Sequence, residues 1–291
     1  MNTSSKVRFV QWQLGDVRIT KVVEGAEMVA PPQFAFPVNQ DTVQTLPWLV
    51  PDFATPEGLL KMSIHAFVIE TEGKRIVVDT CVGNDKDRSE AMWNHLNGPF
   101  LSDMAEAGFP VETIDYVLCT HLHVDHVGWN TRLVDGKWVP TFTKARYLFA
   151  EKEWAHWSKQ EPEHWGDVMG DSVRPVVDAG LADLVSETHK ITDEVWLEPT
   201  PGHTPGHVSV RISSKGHDAI ITGDMMHHPM QIGIPELSSN FCTDAEAARV
   251  TRKAFIDRYT DKPVLVLGTH FAGPTGGHIT RDGATYRFTG K

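Results

Sequence analysis

The sequence predicts a layered α/β/β/α architecture, and three observations carry that expectation. Strand-rich halves are separated by helical stretches, whereas a purely parallel sheet would need strict strand–helix alternation. Several short apolar strands end directly on a histidine or an aspartate, which places polar chemistry along one sheet edge. The chain has 291 residues with ordinary globular proportions, enough to bury the core of one large domain or two smaller ones.

The elements follow in order. Residues 7–23 read as a hairpin, two alternating stretches joined at Leu14-Gly15-Asp16. Residues 31–56 are proline-rich, carry Phe34, Phe36, Trp48 and Phe53, and lack either periodicity, so a long loop or arm is expected. Residues 62–71 and 75–80 form a second hairpin around Glu72-Gly73-Lys74. A helix covers 99–107 through Phe100, Leu101, Met104 and Ala107, and 114–119 is a buried strand. A strand at 146–150 leads into a helix carrying Trp154 and Trp157, and 161–184, with Trp165, is helical or irregular. These three tryptophans read mainly as helix packing. Strands recur at 195–197, 207–212 and 219–222. Thr243-Asp244-Ala245-Glu246 reads as a capping box opening a helix to about Tyr259, and the strand 264–267 follows Asp261-Lys262-Pro263.

Composition narrows the function. With 27 basic and 38 acidic residues the net charge is −11, and no basic run is available to neutralise phosphates. Nucleic acid and anionic membranes are therefore not expected as partners. Cys81, Cys119 and Cys242 are far apart and fit neither a disulfide framework nor a zinc knuckle, so reduced, buried thiols are expected. No signal-like apolar core follows the first residues, and apolar runs such as 264–267 are too short to span a bilayer. The expectation is a soluble, cytoplasmic protein.

Four potential ligands crowd into His121-Leu122-His123-Val124-Asp125-His126, with Val127 and Gly128 behind them. Imidazole and carboxylate are what zinc and similar divalent ions take in catalytic sites. A lone histidine is more often a core or surface residue, but packing does not explain four within six positions. Three other segments share the pattern: His203 in a Pro/Gly-shaped turn, Asp224 after the strand 219–222, and His270 after the strand 264–267.

The ordered set His-x-His-x-Asp-His, then His, Asp and His, resembles the metallo-β-lactamase superfamily over roughly residues 60–280. The resemblance implies a four-layer αββα sandwich, with 1–291 forming a single domain and 31–56 an N-terminal loop or arm. It implies two divalent ions, zinc or else iron, manganese or cobalt. His121, His123 and His203 would hold the first, Asp125, His126 and His270 the second, with Asp224 between them. A metal-bridging hydroxide would be the nucleophile, and Asp125 would orient it or shuttle its proton. Asp79, at the family's first motif aspartate, would support the metal loop, and His207 reads as a support for the ligands. His227 stands where the lactonase branch has a tyrosine, so it acts on substrate or steadies the ligands. Trp129, His228 and Phe271 are candidates for the substrate pocket.

Gly223-Asp224-Met225-Met226-His227-His228-Pro229 resembles the lactonase and methyl parathion hydrolase-like branch. A small lactone or carboxylic ester is the implied partner, and a homodimer is common there. Phosphotriester hydrolysis is the nearest alternative and thioester hydrolysis a weaker one. A di-iron oxidoreductase on the same fold is the alternative of another class, but its usual motif glutamate and appended flavodoxin domain are not seen here. A metal-free interaction protein would lack ligands, and every expected position is filled.

Overall fold

The computed structural model describes residues 9–25, 27–162 and 164–290. Val7 and Arg8, which open the first expected hairpin, lie outside them, as does Glu163 within 161–184. Along the chain, β1 (Phe9–Leu14) and β2 (Val17–Val23) form that hairpin. The pair β3 (Met28–Ala30) and β4 (Leu60–Met62) brackets the proline-rich segment, which contains the short helix α1 (Gln40–Gln44). Next come β5 (His65–Thr71), β6 (Lys74–Val78), α2 (Phe100–Glu106) and β7 (Tyr116–Leu118). A small hairpin of β8 (Thr131–Val134) and β9 (Lys137–Pro140) precedes β10 (Arg146–Ala150) and α3 (Glu151–Trp157). A π-helical turn (Met169–Val173) runs into α4 (Arg174–Asp178) and then β11 (Ala182–Val185). The second half contains β12 (Val195–Pro199), β13 (Val208–Ser214), β14 (His217–Ile221), α5 (Met230–Gly233) and α6 (Ala245–Tyr259). It ends with β15 (Val264–Leu267), β16 (Gly276–Asp282) and β17 (Thr285–Gly290).

Two sheets result. One has the order β1-β2-β5-β6-β7-β10-β11 and turns parallel from β6 onward; the other, β12-β13-β14-β15-β16-β17, is antiparallel except for β14 beside β15. Strand alternation builds the layers. Phe67, Ile69, Ile76 and Val78 point inward to meet Val210, Ile212, Ala219 and Ile221 of the opposite sheet. Val68 and Val77 point outward onto Phe100 and Met104 of α2 and Trp157 of α3. Ile220 and Val266 point out the other way, onto Phe255 and Ile256 of α6. Apolar on both faces, these central strands read as near-continuous hydrophobic runs. The αββα layering expected from the sequence is the observed one.

Some local expectations are corrected. Met62 belongs to β4, not to the second hairpin, which starts at His65. Of the two readings of 31–56, loop or arm, the packing favours the arm: Phe36, Leu46, Leu49 and Phe53 set it against the outer face of the second sheet. The cap of α6 is Asp244, whose carboxylate accepts from the N–H groups of Glu246 and Ala247. Thr243 donates its own N–H to the carbonyl of His203, so Glu246 lies one position too early for a capping box.

Gly128 closes the ligand loop against the Val82 backbone, and a β-carbon there would lie 1.8 Å from the Val82 carbonyl oxygen. Gly98→Ala would meet nothing closer than 3.9 Å. Gly128→Ala should therefore cost about 2–3 kcal/mol in urea unfolding, against less than about 0.5 kcal/mol for Gly98→Ala. Equal stabilities for the two variants would contradict the close packing.

Candidate metal centre

β6, β7, β14 and β15 all end at the same edge, and each hands over a polar residue just past its end. Asp79 follows β6 and takes a left-handed backbone (φ 60°). Its carboxylate accepts from Thr120 N–H at 2.8 Å and from the Thr120 hydroxyl at 2.9 and 3.1 Å. Because that hydroxyl spends its proton on Asp79, it accepts from His121 Nδ1 at 3.1 Å and turns the bare Nε2 of His121 inward. Asp79 Oδ2 also lies 3.0 Å from His126 Nδ1. His270 Nδ1 donates to the Ser63 carbonyl at 3.1 Å, so its Nε2 likewise faces in as a lone pair.

These lone pairs converge. His121 Nε2, His123 Nδ1 and His203 Nε2 lie 2.8–3.1 Å from one another. Beside them, His126 Nε2 and His270 Nε2 are 3.3 Å apart, and each is 3.5 Å from an Asp125 oxygen. Asp224 stands between the groups: its Oδ2 is 3.8 and 3.6 Å from His121 and His203, and 3.3 and 3.2 Å from His126 and His270. Its buried Oδ1 accepts no hydrogen bond. Nitrogen lone pairs turned on each other and on carboxylates are mutually repulsive without a cation. Tetrahedral zinc with nitrogen ligands spaces them about 3.3 Å apart, close to what the first triad presents. The donor set therefore fits two divalent ions, one per triad.

Protonation differs between the two triads. Burial, with the neighbouring imidazoles, holds His121 and His203 well below the ordinary histidine value, and burial holds His123 near 4. Burial also acts against charge on His126 and His270, but the surrounding carboxylates, Asp224 foremost, win and raise both. Asp224 is held well below the carboxylate range because His126, His270 and His227 outweigh its desolvation.

His207 lies against the backbone that carries Asp224. Its Nε2 accepts from Asp224 N–H at 2.8 Å and its Nδ1 meets the Thr200 hydroxyl at 2.9 Å. Gly223 (φ 55°) permits this approach, since a β-carbon there would lie 2.5 Å from His207 Nε2. His227 faces the cleft with both ring nitrogens unpartnered and Nε2 3.2 Å from Asp224 Oδ2.

Three pocket candidates are corrected. Trp129 is buried, stacked on Phe100, and gives its indole N–H to Glu24 at 2.6 Å. His228 spends both nitrogens, on the Phe53 carbonyl at 2.8 Å and on Met230 N–H at 3.1 Å. Phe271 is fully buried against Phe53 and Phe288. Each follows a ligand closely in sequence, Phe271 directly after His270 and the other two within a few residues of His126 and Asp224, but the backbone turns it the other way. The cleft, about 270 Å³, is instead walled by Phe34, Trp93, Trp157, Trp165 and Phe241, with Met28 and Met62. Trp157 and Trp165, expected mainly as packing, thus reach the site, and Trp157 sets its edge against His123 at 5.3 Å. Cys242 also lines the cleft, with Sγ 3.7 Å from His203 Nδ1. The only sequence signal for these residues was aromatic content, which core residues share.

A family model described as the metallo-beta-lactamase superfamily matches residues 61–270. The chain belongs to that superfamily. An N-acyl homoserine lactonase from Bacillus sp. is 27% identical over 173 residues, covering 55% of this chain and 62% of the lactonase. The chain thus spans less than two thirds of the length of that relative. Among solved structures, hydrolase AbOPH of the β-lactamase superfamily superposes with a TM-score of 0.81 at 24% identity, covering 99% of both chains. AidC, a dizinc quorum-quenching lactonase, follows with a TM-score of 0.79 at 19% identity and 97% of both chains. Both likenesses are of fold. No helix among the described residues is long and apolar enough to cross a membrane.

The two triads should part with metal at different pH. A proton competes first for His126 and His270, whose values lie above the ordinary 6.5, and last for His121, His123 and His203. Bound metal measured after desalting should fall from two ions to one, and then to none, as the pH is lowered, with the Asp125–His126–His270 triad emptying first. Loss of both ions in a single step would contradict the assignment.

Proposed function

We propose that this superfamily member is a dinuclear metal-dependent hydrolase of uncharged lactones or carboxylic esters. The observation that carries the reading is the pairing of the ligand nest with an aromatic cleft that has no lysine or arginine among its lining residues. A carboxylate- or phosphate-bearing substrate would find no cationic side chain of lysine or arginine on the walls, and an apolar acyl or aryl group would be buried against the five aromatic rings. Similarity to the Bacillus N-acyl homoserine lactonase supports a lactone in particular.

His121, His123 and His203 would hold one ion and Asp125, His126 and His270 the other, with Asp224 between them. Divalent ions, zinc first and iron, manganese or cobalt otherwise, would supply Lewis acidity toward the carbonyl oxygen and acidify water. The protein's own residues do the rest. Asp125 lines the cleft with its side chain 13% exposed, where its carboxylate can take the proton of the attacking water and return it to the leaving alkoxide. His227, held by its N–H on Gln231 Oε1 at 2.7 Å, offers an unpartnered imidazole to the substrate oxygen. The apolar walls exclude competing water and orient the acyl group across the nest.

A panel of lactones, aryl esters, thioesters and phosphotriesters tests the reading. Lactones or esters should be turned over fastest; Asp125→Asn should lower kcat by about 10²–10⁴-fold and His227→Phe by about 10²-fold. Faster phosphotriester turnover would make phosphorus the natural electrophile. Oxygen consumption by an iron-loaded chain without hydrolysis would replace the reading with oxidoreduction.

A further inference from the structure

Glu153 lies outside the ligand set, in α3, and is fully buried. A buried carboxylate survives only when its oxygens are satisfied. Here Oε1 accepts from Leu122 N–H at 3.2 Å and from the Trp157 indole N–H at 2.7 Å, and Oε2 accepts from Gly206 N–H at 2.9 Å. Leu122 sits between His121 and His123, and Gly206 lies in the turn between His203 and His207. One side chain therefore touches both loops of the first triad and the tryptophan whose edge meets His123. The approach is built in: a β-carbon on Gly206 would lie 2.3 Å from the Glu153 backbone nitrogen.

We infer that Glu153 is a positioning residue that couples the aromatic wall of the cleft to the first triad, so that grip on metal and placement of substrate are set together. The inference rests on the metal-dependent reading above. Three N–H donors approach the two oxygens from two sides. An amide offers one oxygen, so Glu153→Gln turns its own NH₂ toward either Gly206 or the Leu122–Trp157 pair. A backbone N–H of one of the two loops then loses its acceptor, whichever way the amide lies. Trp157→Phe, by contrast, removes only the indole donor and leaves both backbone contacts in place.

Zinc competition with a chromophoric chelator separates these roles, with Ile212→Ala in the inter-sheet core as a control for lost stability. Glu153→Gln should bind zinc about 10–100-fold more weakly and raise KM, whereas Trp157→Phe should raise KM with zinc affinity within about threefold of wild type. In the metal-free protein, hydrogen exchange at the Leu122 and Gly206 amides should accelerate in Glu153→Gln and not in Ile212→Ala. Should Glu153→Gln fail to fold, Glu153→Asp, which keeps the charge but loses one methylene of reach, carries the same comparison. Wild-type zinc affinity in the folded Glu153 variant, or a loss no greater than that of Ile212→Ala, overturns the inference. A wild-type chain that holds no zinc overturns the metal-dependent reading beneath it.

Discussion

Everything at the site depends on one constraint: imidazole lone pairs and carboxylates are buried face to face, where they repel one another without a cation between them. Nothing local favours such an arrangement. It persists because the ligands are carried on the ends of strands from both sheets, whose cores are already committed. Val78, Leu118, Ile221 and Leu267 each anchor a strand in the same inter-sheet core, a few residues before Asp79, His121, Asp224 and His270 respectively. The hydrophobic layer thus holds in place an electrostatic arrangement that would otherwise relax apart.

A surrounding set of hydrogen bonds decides which nitrogen of each ring faces inward. The Thr120 hydroxyl, oriented by Asp79, fixes His121, and the Ser63 carbonyl fixes His270. His207 holds the backbone beside Asp224. Two carboxylates, the half-buried Glu24 and the buried Glu153, then flank the loop that carries four of the ligands. Glu24 takes the indole N–H of Trp129 and the N–H groups of Val82 and Gly83, as Glu153 takes those of Trp157, Leu122 and Gly206 on the other side. Desolvation pushes the Glu24 carboxyl up to about 7 despite the three N–H groups that favour its charge.

Much of this was legible in the sequence, and the reason is geometric. A strand that ends on a polar residue places that residue at a sheet edge whatever the tertiary detail, so the ligand positions and the αββα layering could be read from pattern. The cleft could not. Its wall gathers Phe34, Trp93, Trp157, Trp165 and Phe241 from widely spaced segments, and an aromatic facing a cleft has the same local sequence as one facing a core. Adjacency misled in the opposite direction: Trp129, His228 and Phe271 neighbour the site in sequence, yet tight turns point them into packing. The shift of the helix cap from Thr243 to Asp244 has a similar origin, because a backbone contact from Thr243 to His203 moved the helix start by one residue.

Anomalous diffraction at the zinc edge from crystals grown with zinc tests the central claim most directly. The account predicts two peaks, one among His121, His123 and His203 and one among Asp125, His126 and His270, with an Asp224 oxygen within bonding distance of both. A single peak, or ions bound elsewhere while the nest stays empty, would contradict it.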